Sequence, residues 1–305
     1  ASPLPAQIAI VYDPLAYMAG GNTVGPGTTV RNSILGAYRA MYDRNIAVDF
    51  VHVDDLAAQA AKYKAIYLGT PIMLPRAAAA ALREYVRGGG TLISEPRPAW
   101  NDERGFANDT IPGAGLDAVF GVREQQLRSA EAVVMTGAAD LQGPLSALAG
   151  RPIAGSTFAE SLSPSSPSTR VLARFADGGA AITSSEYGRG RAVLIGSFLA
   201  AAFEQDPLKN ESAGVLIDAL AETAGVAPDV RLEGGGIVEA RVLQSPGGMV
   251  LIAMNHDDQP HRIVMNLRDG LPGTWRQLDG DGFRTDGQRI TWNAAKRSVL
   301  VLAAR

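Results

Sequence analysis

The sequence predicts an α/β fold: a doubly wound, flavodoxin-like sheet with an antiparallel insertion, followed by a small all-β sandwich. Three observations predict it. Over residues 7–94, short apolar runs alternate with helical periods in the order β-α-β-β-α-β. From Val122 to Gly188 the helical period gives way to short β-type segments interrupted by Ser and Pro. Beyond Asp229 no helical pattern survives, and apolar segments alternate with Gly, Asp and Pro turns. The domains so drawn are 1–228, with 122–188 as the β-rich insertion, and 229–305.

Gln7 to Tyr12, QIAIVY, is β-branched and apolar, as a first buried strand requires. A long loop is expected from Asp13 to Thr28, carrying Gly20, Gly21, Gly25 and Gly27. These glycines lack the GxGxxG spacing and the lysine of a phosphate cradle. Tyr17 and Met18 give the loop apolar contact groups, so at the carboxyl edge of a sheet it is placed to touch a ligand or a neighbouring subunit. Thr28 or Thr29 caps a helix in which Val30, Ile34, Tyr38, Met41 and Tyr42 recur at helical spacing. Val48–Val53 and Tyr63–Leu68 are the next strands, with Leu56–Lys62 as a short crossover helix.

Pro75 suits a first helical turn, where its missing N–H costs nothing, and Ala77–Ala81 propagate the helix at almost no side-chain entropy cost. Leu82, Tyr85 and Val86 share one face, Gly88, Gly89 and Gly90 supply the positive φ that ends a helix, and Thr91–Ser94 is a strand buried on both sides. The polar segment after Ser94 therefore leaves the carboxyl end of a strand, where open α/β sheets place their ligands. Ala132–Met135, Val171–Phe175 and Ala180–Ser185 are the strands of the insertion, and the Ser/Pro run 161–169 reads as irregular. A turn at Tyr187–Arg191 returns the chain to the main sheet at Ala192–Gly196. Leu216–Ala224 closes the domain, stopped by Gly225 and Pro228. The sandwich strands are Val238–Val242, Met249–Asn255, Arg262–Leu267, Gly273–Leu278, Gln288–Trp292 and Ser298–Leu302.

At 305 residues and 46% hydrophobic content, the chain is long enough for two or three cores. A net charge of −3 argues against a nucleic-acid or anionic-membrane partner, and the absence of cysteine removes disulfides, thiolate metal sites and cysteine nucleophiles. No apolar run approaches the roughly 20 residues that span a bilayer. The start, ASPLPA, lacks the features of a signal peptide and reads as an interdomain linker, which implies an upstream segment. The compartment stays undecided, with a soluble cytoplasmic protein favoured over a secreted one.

Several motifs carry a resemblance. LREYV at 82–86, GGTL at 89–92, the acidic loop holding Asp102 and Glu103, then Gly113, Leu116 and Phe120-Gly121-Val122 resemble the middle domain of family 42 glycoside hydrolases. These are β-galactosidases that trimerise through an amidotransferase-like domain. YGRGR at 187–191 and MVLIAMNH at 249–256 extend the resemblance to the end of that domain and to the family's C-terminal β domain. It implies a class I glutamine amidotransferase-like sheet, self-association as a homotrimer, and a catalytic TIM barrel carrying the two catalytic glutamates. No (β/α)8 pattern occurs in this chain, so neither glutamate is carried over. No cofactor is implied.

The candidate sugar-proximal or interface residues are Tyr17, Met18, Arg97, Trp100, Asn101, Asp102 and Glu103. Acids beside an aromatic are what sugar sites use for hydroxyl hydrogen bonds and ring stacking. A solvated acidic loop paired with Arg104 is the competing account, and adjacent loop residues point apart, unlike a glycosidase pair. After the third strand, Gly69-Thr70-Pro71-Ile72-Met73 offers no Cys or Ser at an elbow. His52 reads as structural or solvated; His256 and His261 flank a turn with Asp257 and Asp258 between them, a set that could hold a metal but for which the sequence offers no further ligands. No catalytic or metal-binding residue is assigned. Two functions remain open: the non-catalytic assembly portion of a β-galactosidase-like enzyme, and a free-standing carbohydrate-binding module in which Trp100, Trp275 or Trp292 stacks on a saccharide, a galactoside being the ligand to test.

Overall fold

The computed structural model describes residues 1–23 and 28–305, with side chains outside 21–27. Gly25 and Gly27 of the expected loop lie outside the described residues. Among the described residues the chain is a mixed α/β protein with three sheets. It divides into an α/β unit, residues 7–41 and 48–226, and a β unit, residues 1–6, 42–47 and 227–305. The first strand, β1 (Ser2–Pro3), belongs to the β unit.

The α/β unit runs β2 (Ile8–Tyr12), α1 (Pro14–Thr23), α2 (Thr28–Tyr42), β3 (Val48–His52), α3 (Leu56–Gln59), β4 (Ala65–Leu68), α4 (Arg76–Arg87), β5 (Thr91–Ser94) and α5 (Leu116–Phe120). It continues with β6 (Val122–Gly137), β7 (Pro152–Pro164), β8 (Arg170–Arg174), β9 (Ala180–Tyr187), β10 (Gly190–Ile195), α6 (Leu199–Gln205) and α7 (Glu211–Thr223). One sheet of nine strands carries it, in the order β3-β2-β4-β5-β10-β9-β7-β6-β8. The first five are parallel, and the rest join antiparallel through the β9–β10 hairpin. The β-rich segment thus extends the parallel sheet at its β10 edge. Leu82, Tyr85 and Val86 of α4 pack with Leu92, Leu116, Val119 and Phe120 in one core.

Several elements differ from the sequence expectation. The stretch read as a loop after Asp13 opens as helix α1, because the Asp13 carboxylate accepts from the N–H groups of Leu15 (2.9 Å) and Ala16 (3.1 Å). Helix α2 buries Ser33, Gly36, Ala37, Ala40 and Met41, while Tyr38 and Tyr42 of the expected apolar face are exposed. Small residues face the core because the backbone of α6 comes so close: a Cβ at Gly36 would overlap the Ala200 carbonyl. Of the three glycines after α4 only Gly89 has positive φ, 117°. Gly90 is needed for space, since a Cβ there would run into the Tyr85 ring. The insertion holds two long strands, β6 and β7, and Ser161–Pro164 of the supposedly irregular run is the end of β7.

The β unit contains β11 (Val230–Glu233), β12 (Val238–Ser245), β13 (Gly248–Asn255), β14 (His261–Leu267), β15 (Arg276–Asp279), β16 (Phe283–Asp286), β17 (Arg289–Ala294) and β18 (Val299–Ala304). They form two sheets, β1-β12-β13-β18-β15 and β11-β14-β17-β16. Leu251, Ala253, Leu300 and Leu302 of one sheet meet Ile263, Met265, Ile290 and Trp292 of the other in a common core. Asn45, at φ 62°, fixes its segment to this unit: its amide donates to the Val230 carbonyl (2.8 Å) and its side-chain oxygen accepts from the Ala240 N–H (3.3 Å).

Candidate functional site

The chain leaves β5 at its carboxyl end and turns Glu95 into the interior, where it is wholly buried. One carboxyl oxygen accepts from the Tyr67 hydroxyl (3.0 Å) and from the Ala200 N–H (2.6 Å) at the start of α6. The other touches the Ser33 hydroxyl, which also reaches the Gly69 carbonyl. A single hydroxyl proton cannot serve two acceptors. A protonated Glu95 resolves this by donating to Ser33, which then donates to Gly69. Burial pushes the Glu95 carboxyl up to about 8, outweighing the hydrogen bonds that Ser33, Ala200, Tyr67 and Leu199 would donate to its ionised form. Burial thus favours the neutral acid, which ties together α2, β4, β5 and α6.

The strap that follows is bent by positive φ at Arg97 (58°) and Ala99 (54°). The Arg97 N–H donates to Glu160 (2.9 Å), and its guanidinium forks onto Glu124 at 2.7 and 3.2 Å. The same guanidinium lies 3.7 Å from the Trp100 ring centroid, covering one face. Trp100 packs on the cluster of Ile72, Phe158 and Phe198. Burial and then the Glu124 charge push the Glu160 carboxyl up to about 8, against the pull of Arg97.

Asp102 is only 1% exposed and organises the turn behind Trp100. One oxygen accepts from the N–H groups of Arg104 and Phe106, both at 3.0 Å, and the other pairs with Arg76 (3.2 Å) and Arg104 (3.4 Å). Burial alone would raise its pKa, but these backbone donors and the Arg104 charge hold it below the ordinary value. Glu103 instead accepts from the Arg76 N–H (3.0 Å) at the start of α4, and its pKa is lowered by its own backbone N–H and that of Arg76. Asn101 donates to the Gly105 carbonyl (3.0 Å).

Arg97, Trp100, Asn101, Asp102 and Glu103 thus share one strap, while Tyr17 (43% exposed) and Met18 (71% exposed) sit on α1. Asp102 and Glu103 both serve the loop's own geometry. Sequence reasoning missed Glu124 and Glu160, which hold the strap, and Phe106, exposed at its tip beneath Arg104 (5.3 Å).

Other candidates resolve differently. Trp275 and Trp292 are buried in the β-unit core, donating to the carbonyls of Pro272 (2.8 Å) and Asp281 (3.0 Å), so neither offers a face to a saccharide. His52 accepts from the Asp54 N–H (3.3 Å) and stands 3.6 Å from its carboxylate. His261 pairs with Asp257 (2.9 Å) and His256 with Glu239 (3.6 Å). Among the described residues no group of three ligand side chains could hold a metal ion, and no helix is long and apolar enough to cross a membrane.

Comparison with known proteins places this geometry. The sequence profile described as the beta-galactosidase trimerisation domain matches residues 6–224. No curated protein sequence matches the chain. Among solved structures, the β-galactosidase from Bacillus circulans sp. alkalophilus is 22% identical with a TM-score of 0.73, over 98% of this chain and 41% of its own. The enzyme from Rahnella sp. R3 is 19% identical with a TM-score of 0.74, over 99% and 41%. That from the haloarchaeon Halorubrum lacusprofundi is 20% identical with a TM-score of 0.67, over 100% and 40%. At such identities the likeness establishes the fold. This chain spans about 40% of the length of those enzymes.

Proposed function

Because the chain belongs to the β-galactosidase trimerisation domain family, we propose that it is the non-catalytic assembly portion of a β-galactosidase-like glycoside hydrolase, forming a homotrimer and flanking a catalytic TIM barrel. The profile match over residues 6–224 carries this reading. The β3-β2-β4-β5-β10 parallel order supports a flavodoxin-like, amidotransferase-like ancestry for the sheet, with Gly69-Thr70 where a nucleophile elbow would stand. In this role the Trp100 strap and the Tyr17–Met18 helix are the surfaces offered to a barrel or a neighbouring subunit. Sedimentation equilibrium tests it: the chain should sediment at three times its monomer mass, and a strict monomer at high concentration would overturn self-sufficient assembly.

The alternative, a carbohydrate-binding module, rests on Trp100 alone once Trp275 and Trp292 are buried. Arg97 already occupies one face of that ring. Calorimetric titration with galactosides separates the two readings, since binding abolished by Trp100→Ala would favour the module.

A further inference from the structure

At the other end of the parallel strands from Glu95, the β9–β10 hairpin and the carboxyl end of α7 border two cavities of about 220 and 350 Å3. Both are lined by Arg191, Glu186 and Thr223, which makes them one cleft in two lobes. Arg191 stands directly opposite Glu186 in the hairpin register, so the two side chains project from the same face. Arg191 is half-buried, yet among the described residues no ion pair or hydrogen bond reaches its guanidinium. A half-buried arginine whose guanidinium has no protein acceptor makes a cleft that favours an oxygen-rich occupant.

The surrounding charge restricts which occupant. Glu186 and the carbonyl end of α7, at Thr223, present negative potential to the same space and oppose an anion. Of the other basic groups, Arg170 has Asp140 at 3.9 Å, and Arg189 donates to the Gly88 carbonyl (2.9 Å) at the carboxyl end of α4. The lining therefore asks for groups that accept from Arg191 and donate to Glu186 without net charge, which is what the hydroxyls of a polyol do. Leu172 and Leu220 add an apolar wall for C–H groups, and the smaller lobe suits a single six-membered ring.

We propose that this cleft binds one neutral sugar ring, with Arg191 donating to its hydroxyl oxygens and Glu186 accepting from its hydroxyl protons. The site is separate from the Trp100 strap and does not depend on trimer formation. Isothermal titration of the full chain with methyl β-galactoside and with methyl β-glucoside tests it, with sodium sulfate as the anionic probe. At least one glycoside should bind with a Kd of roughly 1–10 mM, as few-contact ligands do. Arg191→Ala should weaken it roughly tenfold by removing charge-assisted donors. Glu186→Gln, an exposed change that spares folding, should weaken it several-fold, and Trp100→Ala should leave it unchanged. The proposal is overturned by no saturable binding up to roughly 100 mM, by equal affinity in the Glu186→Gln chain, by binding lost on Trp100→Ala, or by sulfate binding in place of sugar. Because sedimentation reads assembly independently, its failure and that of the trimer reading are distinguishable.

Discussion

Replacing Glu95 by Gln should make the α/β unit more stable, and by an amount that grows with pH. The unfolded carboxyl titrates near 4.5 and the folded one at about 8. Below 4.5 both states hold the proton and stability does not respond to pH. Between 4.5 and 8 only the folded state holds it, so each pH unit removes about 1.4 kcal/mol of stability, and above about 8 the loss is complete at roughly 5 kcal/mol. Glutamine keeps the hydrogen-bond pattern, its NH2 donating to Ser33 and its carbonyl accepting from Tyr67 and Ala200, and cannot ionise. Calorimetric melting of both chains between pH 5 and 9 should show Tm values that nearly coincide at pH 5 and separate by about 3–5 °C per pH unit up to pH 8. Glu160, raised to about 8 for a similar reason, adds the same slope to both chains and cancels in the difference. A gap independent of pH would refute the reasoning, for it would mean that Glu95 is ionised in the fold.

Three further outcomes are expected. Gly36→Ala should destabilise by about 3 kcal/mol in urea unfolding, because its Cβ would meet the Ala200 carbonyl, which cannot rotate away; a gain of about 1 kcal/mol would show that only helix propensity acts there. Arg97→Ala should cost roughly 2–4 kcal/mol and shift Trp100 emission, since it leaves Glu124 without its forked partner and uncovers the indole face. The 305-residue chain alone should release no nitrophenol from nitrophenyl galactosides, as its Asp102 and Glu103 carboxyls are committed to separate loop contacts; turnover abolished by Glu103→Gln would contradict that.

The central parallel strands β2, β4 and β5 were legible because strands buried on both faces read as apolar runs, as in Ile8–Val11 and Leu92–Ile93. The alanines of α4 were legible for the opposite reason, a strong local propensity. Helix α1 was hidden by its own Gly20, which is tolerated because it lies against Val30. Strand β6 was hidden because most of its side chains are solvent-facing or half-buried, so its Glu, Gln and Arg residues give no alternating apolar signal. Within the site, the sequence pointed to the strap through Trp100 and its acids. It could not show that Glu95 meets Ser33, Tyr67 and Ala200, since those contacts join segments far apart in the chain.

The pairing of Thr91 with Arg191 also sets a clock on biosynthesis. Strands β2 to β5 leave the ribosome in succession and can pair as they emerge, but β5 receives its outer neighbour, β10, only after the whole excursion through β6, β7, β8 and β9 has been made. At roughly 5–20 residues per second, that interval lasts about 5–20 s. For its duration the outer edge of β5, with the apolar Leu92 and Ile93, is an unpaired strand available to any neighbouring nascent chain. Codon changes that slow translation between residues 96 and 189 should therefore lower the yield of folded chain without altering a single side chain of the finished protein.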